Sequence, residues 1–239
     1  MISKRITISV FAFELIAIII AIGIGLSSGD PFKHFEEFHF ITWFSFVQLL
    51  FLSVLSCRMF DIHVSGKTKH VLRSAGFIWA IIAFGFFFLA LDEIFLIHEG
   101  IDKIVHIVFN IEETGLTDRI DDILVFVYGV IGMSILYLHR SELRKYKAAL
   151  PFLVYGLLVF LIMVILDVLT NRADILAMVF ADNSLVGILR SWLLTVEDSL
   201  KIFAEGIFIL GLFTALRCAK NNGDVFQGAT LQHKNRAEI

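Results

Sequence analysis

Six runs of predominantly apolar residues dominate this chain, each close to the roughly 20 residues a helix needs to cross about 30 Å of hydrocarbon. They fall at residues 6–27, 40–60, 74–97, 121–139, 149–169 and 194–216, the fourth being the shortest. A water-soluble fold cannot absorb them. Of 239 residues, 58% are hydrophobic and 18% charged, which leaves too little polar material to coat a globule around six such helices. The scarcity of Pro, at 2 residues beside 25 Phe, suits long unbroken helices with lipid outside. The expected fold class is therefore all-α, a polytopic membrane helix bundle with six transmembrane helices. Lys4 and Arg5 precede the first run as in a secretory signal, but that run is longer than a signal core and carries Glu14 near its middle, so a retained span is expected.

The segments between the runs alternate in charge. Lys4 and Arg5 stand before the first, and Asp30, Lys33, Glu36 and Glu37 make the next loop acidic. Arg58, Lys67, Lys69 and Arg73 outweigh Asp61 in the second loop, and the third is acidic from Glu99 to Asp122. The fourth carries Arg140, Arg144, Lys145 and Lys147, and the tail opens with Arg217 and Lys220. An excess of Lys and Arg marks the cytoplasmic side. The expectation is a multi-pass protein of the plasma (inner) membrane, with both termini cytoplasmic and Trp43 and Trp192 at the outer interface. Residues 101–111 read as an amphipathic helix on the outer surface, and 173–189 as a second short interfacial or re-entrant helix. Residues 1–218 are expected to form one transmembrane domain, and 219–239 a polar, mobile cytoplasmic tail.

Ionisable residues inside a membrane are costly, so each is a candidate for function. The third run ends in ALDEIFLIHEGID, residues 90–102. On a continuous helix at about 100° per residue, Asp92 and Glu99 share a face that His98 and Asp102 extend, while Glu93 points elsewhere. Those acids sit at the negative pole of the helix dipole, so a metal ion, a cationic partner or a proton is expected to offset them. In the sixth run, TVEDSLKIFAEG (195–206), Thr195 and Asp198 match a loose capping box. Capping accounts for Asp118, Asp121, Glu197 and Asp198 as well as site formation does. Deeper in that run, Lys201 stands four residues from both Glu197 and Glu205, spacings that allow ion pairs. Glu14 and Gln48 occur at comparable depth to Glu205 and are plausible neighbours. Asp167 lies near the outer end of the fifth run.

Asp92, His98 and Glu99 with Asp121 and Asp122 make an oxygen-rich ligand set that suits Mg, Ca or Mn, with Zn or Fe admitted by the imidazole. Glu93 would then be the general base for a metal-bound water, and the substrate a lipid or other amphiphile. A second class of function is cation or proton transport, with Glu14, Lys201 and Glu205 as a relay and Asp167, Glu197 and Asp198 in an acidic vestibule. No inverted repeat or pair of broken helices supports it. A third class is an accessory subunit bound to another membrane protein, with no catalysis. Whether the chain is an enzyme stays open at this point. Nucleic acid is excluded as a partner by the apolar, charge-balanced composition; the lipid bilayer is the one partner the composition requires, and the oligomeric state is open.

The stretch LDEIFLIHE (91–99), an LDE-x4-HE motif, together with DRIDD (118–122) and EDSLKIFAEG (197–206), resembles patterns in uncharacterised bacterial multi-span membrane proteins. That resemblance covers about half the chain and implies no particular activity. The pattern is also similar, more distantly, to membrane hydrolases of the alkaline ceramidase and adiponectin-receptor type. Those carry several histidines on their late helices and usually seven spans. Only His98 lies at the corresponding depth here.

Overall fold

The computed structural model describes residues 3–64, 76–110, 120–170 and 183–237, with the side chains of 121–122, 168–170, 183–184 and 222–237 outside the described set. Among the described residues there are eight α-helices and no strand. They are α1 (Lys4–Ser28), α2 (Phe40–Val64), α3 (Phe77–Phe95), α4 (Ile97–Phe109), α5 (Ile120–Leu138), α6 (Arg140–Leu143), α7 (Leu150–Thr170) and α8 (Asn183–Ala237). Short 3₁₀ turns occupy Lys33–Phe35 and Arg144–Tyr146.

Five helical segments are long and apolar enough to cross a membrane: Lys4–Ser28, Lys33–Val64, Phe77–Phe95, Leu150–Asp167 and Leu185–Asn221. A sixth follows if Ile123–Leu138 and Arg140–Tyr146, which meet at 67°, are counted as one broken span. Large apolar side chains point away from the bundle along α1 (Phe13, Ile16, Ile20), α5 (Phe126, Val130, Met133) and α7 (Leu158, Leu161, Ile165). Such continuous apolar faces are stable against lipid and not against water. The chain is a multi-pass membrane protein.

Helices α2 and α8 form the axis of the bundle. Thr42, Ser45, Leu49, Leu52, Ser56 and Met59 are buried on α2, a 3-4-3-4-3 spacing that lines one helical stripe. That stripe is partly polar, and its hydroxyls are satisfied locally: Ser56 Oγ donates to Leu52 O at 2.9 Å, and the neighbouring Ser53 Oγ donates to Ala83 O on α3 at 2.8 Å. Against α2 pack α3 on one side and α8 on the other, and α8 also lies along α7 and touches α1. The main apolar core joins Leu52 and Met59 of α2, Ile78 and Trp79 of α3, Tyr146, and Leu212 and Ala215 of α8. A smaller one joins Ile18 and Ala21 of α1, Phe35, Ile41 and Ile202. Two glycines let helices approach closely: a Cβ at Gly156 would lie 2.7 Å from Phe208, and one at Gly211 would lie 3.0 Å from Leu153.

Two local expectations are corrected. The third run does not continue through residue 97: Leu96 adopts φ 48°, ψ 50°, the left-handed region, and the chain restarts as α4. A helical-wheel angle holds only along one unbroken helix, so Asp92 and Glu99 do not share a face in the way continuity implied. Second, α8 begins at Asn183, so Thr195 is interior and caps nothing. Its Oγ1 donates to Ser191 O at 3.0 Å, within the helix. Helix α8 spans 55 residues, roughly 80 Å at about 1.5 Å per residue. It therefore outruns the bilayer, and it includes most of the segment expected to form a tail. Most of the 173–189 segment lies outside the described residues.

Candidate intramembrane ionisable site

The break at Leu96 explains how Asp92 is tolerated. Its carboxylate accepts the backbone N–H of His98 at 2.9 Å through Oδ1, and Oδ2 lies 2.9 Å from His98 Nδ1. Asp92 thus ends α3 while satisfying the free amino end of α4, whose dipole has the sign a carboxylate needs. The left-handed Leu96, which costs about 1 kcal/mol or more for a side chain with a Cβ, is offset by those bonds. Along α4, His106 Nδ1 lies 3.1 Å from the buried Asp102 carboxylate, and Lys103 reaches Glu99 at 3.5 Å on the exposed side.

Glu93 turns into the bundle and meets Lys201 of α8. The ammonium lies 2.8 Å from Glu93 Oε1 and 2.9 Å from Asp198 Oδ1. The side chain reaches across to α3 and back one turn to Asp198, contacts that the i,i+4 spacing to Glu197 and Glu205 did not indicate. Glu197 is buried on the same helix. The group Glu93–Lys201–Asp198 carries a net charge of −1 when all three are ionised, and it ties α3 to α8.

One turn further along α8, Glu205 is buried, and its Oε1 accepts a hydrogen bond from Ser45 Oγ of α2 at 2.6 Å. Its Oε2 has no hydrogen-bond partner. Beside it, Glu14 of α1 is wholly buried against Gly206. A Cβ at residue 206 would lie 1.4 Å from Glu14 Oε1, so any larger residue there would force that carboxyl to move. The Gln48 amide lies beside Glu14 and is the donor nearest that carboxyl among the described residues, while Gln48 Oε1 itself has no hydrogen-bonded partner among them. Two buried carboxyl groups therefore converge from facing helices with, among the described residues, only the Ser45 hydroxyl and the Gln48 amide as donors, fewer than two carboxylates need. Buried polar atoms are rarely left so. An ionised carboxylate there would be intolerable, whereas a carboxyl that takes up a proton or holds a cation is not.

The structure thus brings together Glu14, Gln48 and Glu205, and separately Glu93, Asp198 and Lys201. It does not join Asp92, His98 and Glu99 to the Glu14–Glu205 group. Asp167 is half-buried near the end of α7. The side chains of Asp121 and Asp122 lie outside the described residues. Among the described residues, no group of three or more His, Cys, Asp or Glu side chains is disposed to hold a metal ion. Sequence reading missed Ser45 and the role of Gly206. Ser45 was detectable, since it stands three residues before Gln48 on the buried stripe of α2; Gly206 was not, because its role depends on which helix faces it.

No curated protein and no solved structure matches the chain. A family model described as a domain of unknown function, DUF8692, matches residues 5–216, which takes in every helix that carries the site, and the chain belongs to that family.

Proposed function

We propose that the protein moves protons across the membrane through the Glu14–Glu205 pair. The observation that supports this reading is the burial of two carboxyl groups on facing helices with, among the described residues, no cation at ion-pair distance and only Ser45 and Gln48 as donors. A buried acid of this kind is stable when neutral and costly when charged, so it exchanges a proton as the local field or its solvent access changes. Lys201, one turn away, is held by Glu93 and Asp198 toward the α4 end, and that group, net −1 when all three are ionised, favours the arrival of protons from that side. The charge of the connecting segments orients that end to the extracytoplasmic side, with the acidic loops attracting cations there. The metal-dependent hydrolase reading draws less from the geometry, because His98 engages Asp92 and Lys201 engages Glu93, the ligand and the base it requires.

The test is proton flux in proteoliposomes that contain a pH-sensitive dye, driven by an imposed membrane potential. Wild-type protein is expected to acidify the lumen, Glu205→Gln and Glu14→Gln to lose that flux, and Lys103→Ala to keep it. Absence of proton movement by the wild type, or undiminished flux in Glu205→Gln, would overturn the reading.

A further inference from the structure

At the opposite end of the bundle, where α2 stops and α6 begins, lies a second polar cluster, which no charge or spacing argument singled out. We propose that His63, Tyr146 and Glu142 form a proton-binding site in which His63 exchanges one partner for another when it gains or loses a proton. It is separated from Glu14 and Glu205 by the apolar layer of Leu49, Leu52, Leu55 and Leu212, so it stands independently of the transport reading.

His63 Nδ1 lies 2.7 Å from Met59 O, one turn back on α2. A carbonyl only accepts, so Nδ1 carries hydrogen in both protonation states. Nε2 faces two groups, Tyr146 Oη at 2.7 Å and Glu142 Oε1 at 3.3 Å. In the neutral ring Nε2 is a lone pair: the Tyr146 hydroxyl donates to it, and Glu142 Oε1, buried and without a hydrogen-bond donor, faces it unmatched. In the cation Nε2 carries a hydrogen, and Glu142 Oε1 becomes its charged acceptor. The proton comes from solvent, to which His63 is one-fifth exposed. One nitrogen cannot serve both neighbours in the same way, so protonation transfers the end of α2 from the tyrosine to the glutamate.

The surroundings hold the ring in place and define its field. A Cβ at Gly76 would lie 2.4 Å from His63 Cβ, so the start of α3 is pressed against the side chain. Trp79 of α3 lies edge-on to Tyr146 and tilted to His63, and contributes no ionisable group. Lys145 occupies Glu142 Oε2, leaving Oε1 to His63. From α8, Cys218 stands near Tyr146. Arg144, and on α2 Arg58 and Asp61, are exposed.

The experiment is NMR of the full chain in lipid nanodiscs with ¹⁵N-labelled histidine rings, the His63 signals being identified by their loss in His63→Gln. At pH 8 the wild type is expected to show the Nδ1–H tautomer. Glu142→Gln should move the His63 midpoint to lower pH, because the cation loses its acceptor. Tyr146→Phe should move it to higher pH, because the neutral ring loses its donor. Shifts of about one pH unit each, a tenfold change in proton affinity, are expected. An Nε2–H tautomer at pH 8, or midpoints that do not move in opposite directions, would refute the proposal; the wild-type tautomer decides the first point even if a variant fails to fold.

Discussion

Two ionisable groups meet along α8, one around Lys201 and one around Glu205 a turn further on, and the bundle handles them in opposite ways. Glu93 and Asp198 are each paired with Lys201, with both contacts under 3 Å. Glu205 and Glu14 have, among the described residues, no cation at ion-pair distance and only Ser45 and Gln48 beside them as donors. The first is a closed ion-pair group, in which each member satisfies another. The second is tolerable only while a proton or cation is present. A membrane interior thus permits a carboxylate in two forms, paired in place or able to be discharged, and here both occur on one helix.

The largest test of the contrast is to remove the cation. Lys201→Met should leave Glu93 and Asp198 buried and unpaired, at a cost of about 3–5 kcal/mol in unfolding measured in mixed micelles. A loss under about 1 kcal/mol would show that the two acids do not depend on Lys201. A smaller effect is expected from Gly206→Ala, whose Cβ would collide with Glu14: about 1–3 kcal/mol, abolished when Glu14→Ala is combined with it. If the penalty persists in the double variant, the tight fit to Glu14 is not its source. The smallest should come from Lys103→Ala, since that lysine is 68% exposed beside Glu99 and the pair is screened by solvent. Its stability should change by no more than about 0.5 kcal/mol, which sets the scale for an ion pair outside the bundle.

Legibility in the sequence followed the length scale of the signal. The long apolar runs correspond to helices within a few residues at most ends, as with 40–60 against Phe40–Val64 and 149–169 against Leu150–Thr170. Hydropathy over twenty residues averages out local detail, so such spans are readable. The amphipathic segment 101–111 also falls largely within α4, because its pattern is dense and periodic. The turn at Leu96 was not readable: leucine has no preference for the left-handed region, and LDEIFLIHE looks continuous. The conformation is held by Asp92 reaching six residues ahead. The start of α8 was misjudged for a related reason. Thr195 followed by Asp198 is a capping pattern only where a helix begins, and nothing local shows that this one had begun earlier.

The sequence by itself determined that this chain is a bundle of membrane-crossing helices with Glu14, Gln48, Lys201 and Glu205 carried inside it. The hydrophobic effect acts on composition and period, which are properties of the chain alone. Only the tertiary structure decided which of those groups meet: that Lys201 crosses to Glu93, that Gly206 opens a space for Glu14, and that His63 stands between a hydroxyl and a carboxylate. Those pairings depend on which helix faces which and at what rotation. Such arrangements arise from packing between segments up to about 190 residues apart, as Glu14 and Gly206 are.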